Sequence, residues 1–215
     1  MTDVPSARGA EVGRRIGVGL MYGLFRPRVL GAWRVPAVGP VILAVNHSHN
    51  VDGPMVMGVA PRPTHFLIKK EAFVGPLDPF LTGIGQLKVD RDTTDRTAIS
   101  RALGVLEQGG VLGIFPEGTR GEGDFASLRA GLAYFAVRGG APIVPVAVLG
   151  SSERPGRLIK ALPPLRSRVD VVFGDPFDAG DGSGRRTRKA LDEATERIQK
   201  QLTAHLENAR RLTGR

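Results

Sequence analysis

The 215-residue sequence contains no cysteine, and three kinds of chemistry fall away with it: disulfide cross-links, a thiolate-bound zinc and a cysteine nucleophile. Aromatic side chains are almost as scarce, at 6%. No stretch interleaves arginine with phenylalanine or tyrosine, the arrangement on which single-stranded nucleic acid stacks, so nucleic acid is not an expected partner. Long apolar runs are missing too. The longest near the N-terminus, Ile16 to Phe25 (IGVGLMYGLF), has ten residues, about half of what a bilayer crossing requires. No small-residue cleavage site follows it, which speaks against a signal peptide. Acidic side chains are also in deficit, with 21 Asp and Glu against 30 Lys and Arg and a net charge of +9. That balance favours anionic partners, such as an acidic membrane surface or an acidic carrier protein.

What is present reads as an ordinary globular chain. Apolar residues make up 41% and charged residues 24%, and the length suits one α/β core rather than two. Residues 1–34 form a basic and apolar segment expected to be helical. Arg8, Arg14, Arg15, Arg26, Arg28 and Arg34 flank its apolar run, a pattern that suits a helix lying in the interface of an anionic membrane. The Gly13/Gly17 and Gly19/Gly23 pairs equally suit a helix packed closely on the core.

From residue 35 to 215 apolar strands alternate with amphipathic helices. VILAV (Val41 to Val45), HFLI (His65 to Ile68), QLKV (Gln86 to Val89), VLGIF (Val111 to Phe115), PIVPVAV and VDVVFG read as strands. Helices are expected from about Asp52, through TTDRTAISRALGVLE, and from about Ser127 to Arg138. Leu191, Ala194, Ile198, Leu202, Leu206 and Ala209 then line one face of a long C-terminal helix. The expected fold is a single α/β domain with a largely parallel or mixed central sheet flanked by helices.

The polar cluster that follows VILAV, NHSHNVD, is the first candidate for chemistry. On a continuous helix His47 and Asp52 would point about 140° apart. At a strand-to-helix turn, however, the aspartate can fold back onto the imidazole. A carboxylate on one ring nitrogen fixes the tautomer and leaves the other nitrogen free to accept a proton. No protein nucleophile accompanies the pair, so a substrate must bring the hydroxyl. His47, His49 and Asp52 also have the donor types of a zinc hydrolase. The second candidate is FPEGTR, Phe115 to Arg120, where backbone N–H groups, a hydroxyl and a guanidinium suit a phosphate.

Together these blocks resemble the glycerolipid acyltransferase family, which includes the 1-acyl-glycerol-3-phosphate and other lysophospholipid acyltransferases. The resemblance runs from about Val35 to Phe177 and rests on four blocks in family order: NHSHNVD, KKEAFVGPLDPFLTGIGQLKVDR, FPEGTR and PIVPVAV. It implies a glycerol-3-phosphate acyltransferase-like α/β fold with an N-terminal membrane-associating helical segment. His47 would then be the general base and Asp52 its orienting partner, with Asn46 shaping the turn. Arg91, Glu117, Gly118, Thr119 and Arg120, with Lys70 as a further candidate, would bind the glycerophosphate. The implied reaction moves a fatty acyl group from acyl-coenzyme A or acyl carrier protein to 1-acyl-glycerol-3-phosphate, making phosphatidic acid for phospholipid synthesis. It needs no cofactor or metal and would run at the cytoplasmic face of the cell membrane. Another lysophospholipid or glycolipid acceptor remains open, as does a basic lipid- or nucleic-acid-binding module. Three positions depart from the family pattern: His49 and Gly121 replace common serines, and Arg129 replaces a common lysine.

Overall fold

The computed structural model describes residues 4–118, 122–151, 163–180 and 187–215. The first half of the chain runs α1 (Ala7–Leu24), β1 (Arg26–Leu30), β2 (Val41–Val45), α2 (Asp52–Val59), β3 (Thr64–Lys69), α3 (Leu77–Gly83) and β4 (Leu87–Val89). The second half runs α4 (Arg96–Glu107), β5 (Val111–Ile114), α5 (Gly131–Gly139), β6 (Ile143–Leu149), β7 (Arg168–Phe173) and α6 (Arg188–Thr213). The strands form one mixed sheet in the order β1-β7-β6-β2-β5-β3-β4. Neighbours pair parallel except β6 with β7.

Side-chain alternation along β2 divides the core into two layers. Val41, Leu43 and Val45 pack with Met55, Val56, Met21 and Phe25 beneath α1 and α2. Ile42 and Ala44 pack with Ala102, Leu106, Leu132 and Ile198 beneath α4, α5 and α6. A strand covered on both faces has no polar side to offer, which is why VILAV is apolar throughout. On α6 the expected stripe faces inward, with Ala194, Ile198, Leu202, Leu206 and Ala209 all buried. His65 and His205 are buried as well. Their ring nitrogens donate to the Gly85 and Val172 carbonyls at 2.7 and 3.0 Å, and burial pushes both imidazoles below their usual pKa.

The structure corrects two expectations and adds one element. The N-terminal helix stops at Leu24, and Arg26–Leu30 is a strand paired with β7. RPRVL hid this role because arginines and proline suit only an edge strand, where one side of the ladder needs no partner. The helix expected from Ser127 begins at Gly131 instead. Ahead of it Phe125 is fully buried with φ 60° and the Arg129 N–H bonds the Pro116 carbonyl at 2.9 Å, so the segment before Gly131 is held against the end of β5. Finally, α3 interrupts the second family-like block, whose short apolar pieces show no helical period.

Asp170, also fully buried, closes the β1 edge. Arg28, Arg168 and Arg215 surround its carboxylate, tying β1, β7 and the end of α6 together. Three guanidinium partners offset the cost of burying that carboxylate.

The glycines of α1 divide between two faces. A Cβ on Gly58 of α2 would lie 2.6 Å from the Gly17 backbone, and one on Gly13 would lie 3.0 Å from Ile84, whereas Gly19 and Gly23 meet nothing within 4 Å. Gly58→Ala should therefore destabilise the fold by about 1–3 kcal/mol through overpacking. Gly19→Ala should stabilise it by about 0.5–1 kcal/mol through helix propensity. Chemical denaturation of the two variants checks the opposite signs.

Candidate active site

β2, β3, β4, β5 and β6 all point the same way, so their C-terminal ends share one edge of the sheet. Ligands of open α/β sheets bind at that edge. There β2 delivers Asn46 and His47, β5 delivers Phe115 to Gly118, β4 delivers Arg91, and β6 delivers Ser151.

Asp52 occupies the first turn of α2 and is fully buried. Its Oδ2 accepts backbone N–H bonds from Ser48 at 2.9 Å and His49 at 2.6 Å, so the carboxylate holds the turn that carries the histidines. The same oxygen lies 3.3 Å from His47 Nδ1, and Oδ1 accepts from Ser151 Oγ at 2.7 Å. Because a carboxylate here only accepts, Nδ1 carries the proton and Nε2 keeps its lone pair. Phe115 stacks on the imidazole, with centroids 4.1 Å apart and planes 27° apart, and Phe66 backs Phe115 at 5.4 Å. The ring thus has a fixed plane, a fixed tautomer and one basic nitrogen.

His47 faces a cavity of about 870 Å³, whose walls include Gly53, Leu67, Arg91, Phe115 and Arg129. A smaller pocket of about 220 Å³ shares Leu67, Arg91, Phe115 and Arg129 and adds the apolar Val89, Ile114, Leu132 and Phe135. Arg91 donates to the Gly118 carbonyl. Burial, and then the like charge of Arg129 beside it, shift Arg91 below the usual guanidinium pKa. Gly118 has φ 75°, and a Cβ there would run into the Arg129 side chain, so only glycine lets that guanidinium cross the loop. Two cations therefore flank one mouth of the cavity.

Other expected residues sit elsewhere. Asn46 is buried and spends its amide on structure: Oδ1 accepts from Val148 N–H at 2.7 Å, while Nδ2 donates to the Val148 and Gly123 carbonyls at 3.1 and 3.3 Å. It continues the β2–β6 ladder one step past the strand. Glu117 Oε1 accepts the Phe125 N–H at 2.9 Å and so braces the loop that leaves β5. Burial pushes its carboxyl above the usual range, against the pull of that N–H.

Lys70 is exposed and bonds Asp90 at 2.8 Å; its neighbour Lys69 lines the cavity. Thr119, Arg120 and the departure at Gly121 lie outside the described residues. Among the described residues no three His, Asp or Glu side chains converge as metal ligands; the Asp52 oxygens already serve His47, the turn and Ser151. Sequence reasoning missed Ser151 and the stacking role of Phe115. Arg129 had left a signal as the departure from lysine.

A buried carboxylate, an oriented imidazole and a cation-flanked cavity at the strand ends define an α/β enzyme equipped for general-base chemistry on a bound hydroxyl. Comparison with known proteins narrows the class. The acyltransferase family model matches residues 26–149, and the chain belongs to that family. It is 30% identical over 183 residues to the 1-acyl-sn-glycerol-3-phosphate acyltransferase of Bacillus subtilis, covering 84% of this chain and 88% of that one. It is 29% identical over 149 residues to the Streptococcus pneumoniae enzyme of the same name, covering 67% of this chain and 51% of the relative. The crystal structure of the 1-acyl-sn-glycerophosphate acyltransferase PlsC from Thermotoga maritima superposes with a TM-score of 0.67 at 21% identity, over 92% of this chain and 79% of that one.

Asn46→Ala should leave the Val148 N–H without its buried partner, a loss of about 1–3 kcal/mol per group. Hydrogen exchange should then accelerate at Val148 well ahead of the rest of β6, and unchanged protection there would refute the ladder role.

Proposed function

We propose that this protein acylates 1-acyl-glycerol-3-phosphate to phosphatidic acid, taking the acyl group from acyl-coenzyme A or acyl carrier protein. The observation that carries the reading is the Asp52-held imidazole of His47 facing a cavity flanked by Arg91 and Arg129. Two guanidinium groups suit the phosphate of the acceptor, and Arg120 in FPEGTR adds a third. The names of the Bacillus and Streptococcus relatives support the same acceptor.

In the proposed reaction the acceptor hydroxyl gives its proton to His47 Nε2 as its oxygen attacks the thioester carbonyl. Asp52 stabilises the imidazolium through Nδ1–H. The tetrahedral oxyanion collapses, the C–S bond breaks, and the thiolate leaves with the proton that His47 returns. General-base assistance of this kind is worth about 10² to 10⁴-fold, and anchoring the phosphate holds the hydroxyl in reach. No cofactor or metal takes part. The positive charge of the chain matches both the phosphates of the donors and an anionic bilayer.

The protein works peripherally at the cytoplasmic face of the cell membrane, through α1. No helix among the described residues is long and apolar enough to cross a membrane. Val12, Leu20 and Tyr22 are nevertheless about half exposed on α1, beside the exposed Arg8, Arg15 and Arg26. Apolar side chains among arginines suit the boundary between headgroups and acyl chains.

Purified protein should convert lysophosphatidate to phosphatidate with at least one thioester donor, read by mass spectrometry across a panel of donors and acceptors. His47→Ala should lower turnover by about 10² to 10⁴-fold while the protein stays folded. Near-normal turnover by that variant would remove the catalytic assignment.

The triple change Val12→Glu, Leu20→Glu and Tyr22→Glu should abolish co-sedimentation with phosphatidylglycerol vesicles. Turnover of a detergent-dispersed acceptor should persist. Wild-type-like sedimentation of the triple variant rules α1 out as the docking element.

A further inference from the structure

Three groups hold Asp52 apart from its histidine, and two of them are backbone N–H groups of its own turn. The third comes from another part of the chain. Ser151, just past the end of β6, is fully buried and sends its hydroxyl 2.7 Å to Asp52 Oδ1 across 99 residues of sequence. Its oxygen lies 3.4 Å from Ser48 Oγ, a second hydroxyl in the same turn.

We propose that Ser151 is a positioning residue for the His47–Asp52 pair, setting the rotation of the carboxylate so that Oδ2 faces the imidazole. The proposal rests on the acyl-transfer reading of that pair. The distances show why the rotation matters. Of the contacts made by Asp52, the one to His47 is the longest, at 3.3 Å, against 2.6 to 2.9 Å for the others. Hydrogen bonds weaken steeply with distance and angle, so a small turn of the carboxylate sacrifices the His47 bond first. The two turn N–H groups both sit on Oδ2 and fix only one end of the carboxylate. A donor on Oδ1 fixes the other end, and with both ends held the plane cannot rotate.

The donor is itself well anchored. Asn46 clamps Val148, three residues before Ser151, to β2 through two bonds. Ser151 therefore transmits the position of a central strand to the carboxylate. Substituting alanine leaves Oδ1 buried without a donor, and the carboxylate is free to turn away from Nδ1.

The experiment compares wild type, Ser151→Ala, Ser151→Cys and Ser151→Thr by two readouts. The first is the ¹⁵N spectrum of the His47 imidazole at alkaline pH. Wild type should show one Nδ1–H tautomer with a bare Nε2. The Ala and Cys variants should show a mixture containing Nε2–H, the form a free imidazole prefers. The second readout is steady-state kinetics with lysophosphatidate and the best thioester. Turnover should fall about tenfold in the Ala and Cys variants, with KM for the acceptor unchanged, and the threonine hydroxyl should restore it. If the alanine variant does not fold, the cysteine and threonine variants give the same contrast.

A Nδ1–H tautomer that persists without the hydroxyl overturns the proposal. So does a threonine variant as slow as the alanine one. A wild type that transfers no acyl group, yet changes tautomer on losing the hydroxyl, upholds the positioning role and removes the acyl-transfer reading instead.

Discussion

The structure depends on one fully buried carboxylate, that of Asp52, and on the donors that replace its water. Taking an ionised aspartate out of water costs several kcal/mol unless donors replace the water. Asp52 meets four: two backbone N–H groups, a serine hydroxyl and an imidazole. The two backbone groups and the hydroxyl come from the fold, and the imidazole is the group they leave room for. The bonds that fold the turn and the bonds that orient His47 are thus the same bonds, and a substitution that disturbs one disturbs the other.

This arrangement is available only where several parallel strands end together. The aspartate begins a helix and the histidine ends a strand, so the two meet because the turn between them is short and tied on both sides. Asn46 ties it to β6, and Asp52 ties it to the start of α2. Phe115 then closes over the ring from the end of β5. Each neighbouring strand contributes one constraint, and the result is an imidazole with little freedom on a segment with no regular structure of its own.

Much of this was legible in the sequence. The buried strands announced themselves as continuous apolar runs, and α6 did so by its stripe from Leu191 to Ala209. His47 and Asp52 stood out because a polar cluster interrupts a strand at its exit. What was hidden lacked a local signal. RPRVL gave no strand pattern because an edge strand tolerates proline and charge. α5 began late because the segment ahead of it is held against the end of β5, where the Arg129 N–H bonds the Pro116 carbonyl. Ser151 was invisible for a different reason: its partner lies 99 residues away, and a single serine after a strand has no periodicity. Lys70 carries a local signal of another kind: it stands in a family-like block, and in the structure its ammonium is paired with Asp90.

The treatment of charge separates the frame from the cavity. At the sheet edge Asp170 is matched by three arginines, and Lys70 and Lys88 each find an aspartate. At the cavity the logic reverses. Arg91 and Arg129 sit side by side, and among the described residues neither reaches a carboxylate at ion-pair distance. Like charges in a partly desolvated setting repel by an amount that burial increases; Arg91 lies below the usual guanidinium range first through burial and then through the charge of Arg129, with Glu71 pulling the other way. Two like charges held together in this way add nothing to the stability of the fold. An anionic group entering between them would relieve that repulsion, and the phosphate monoester of the proposed acceptor is such a group. Under the proposed function the pair thus favours an anionic acceptor over a neutral one, within the same walls as His47.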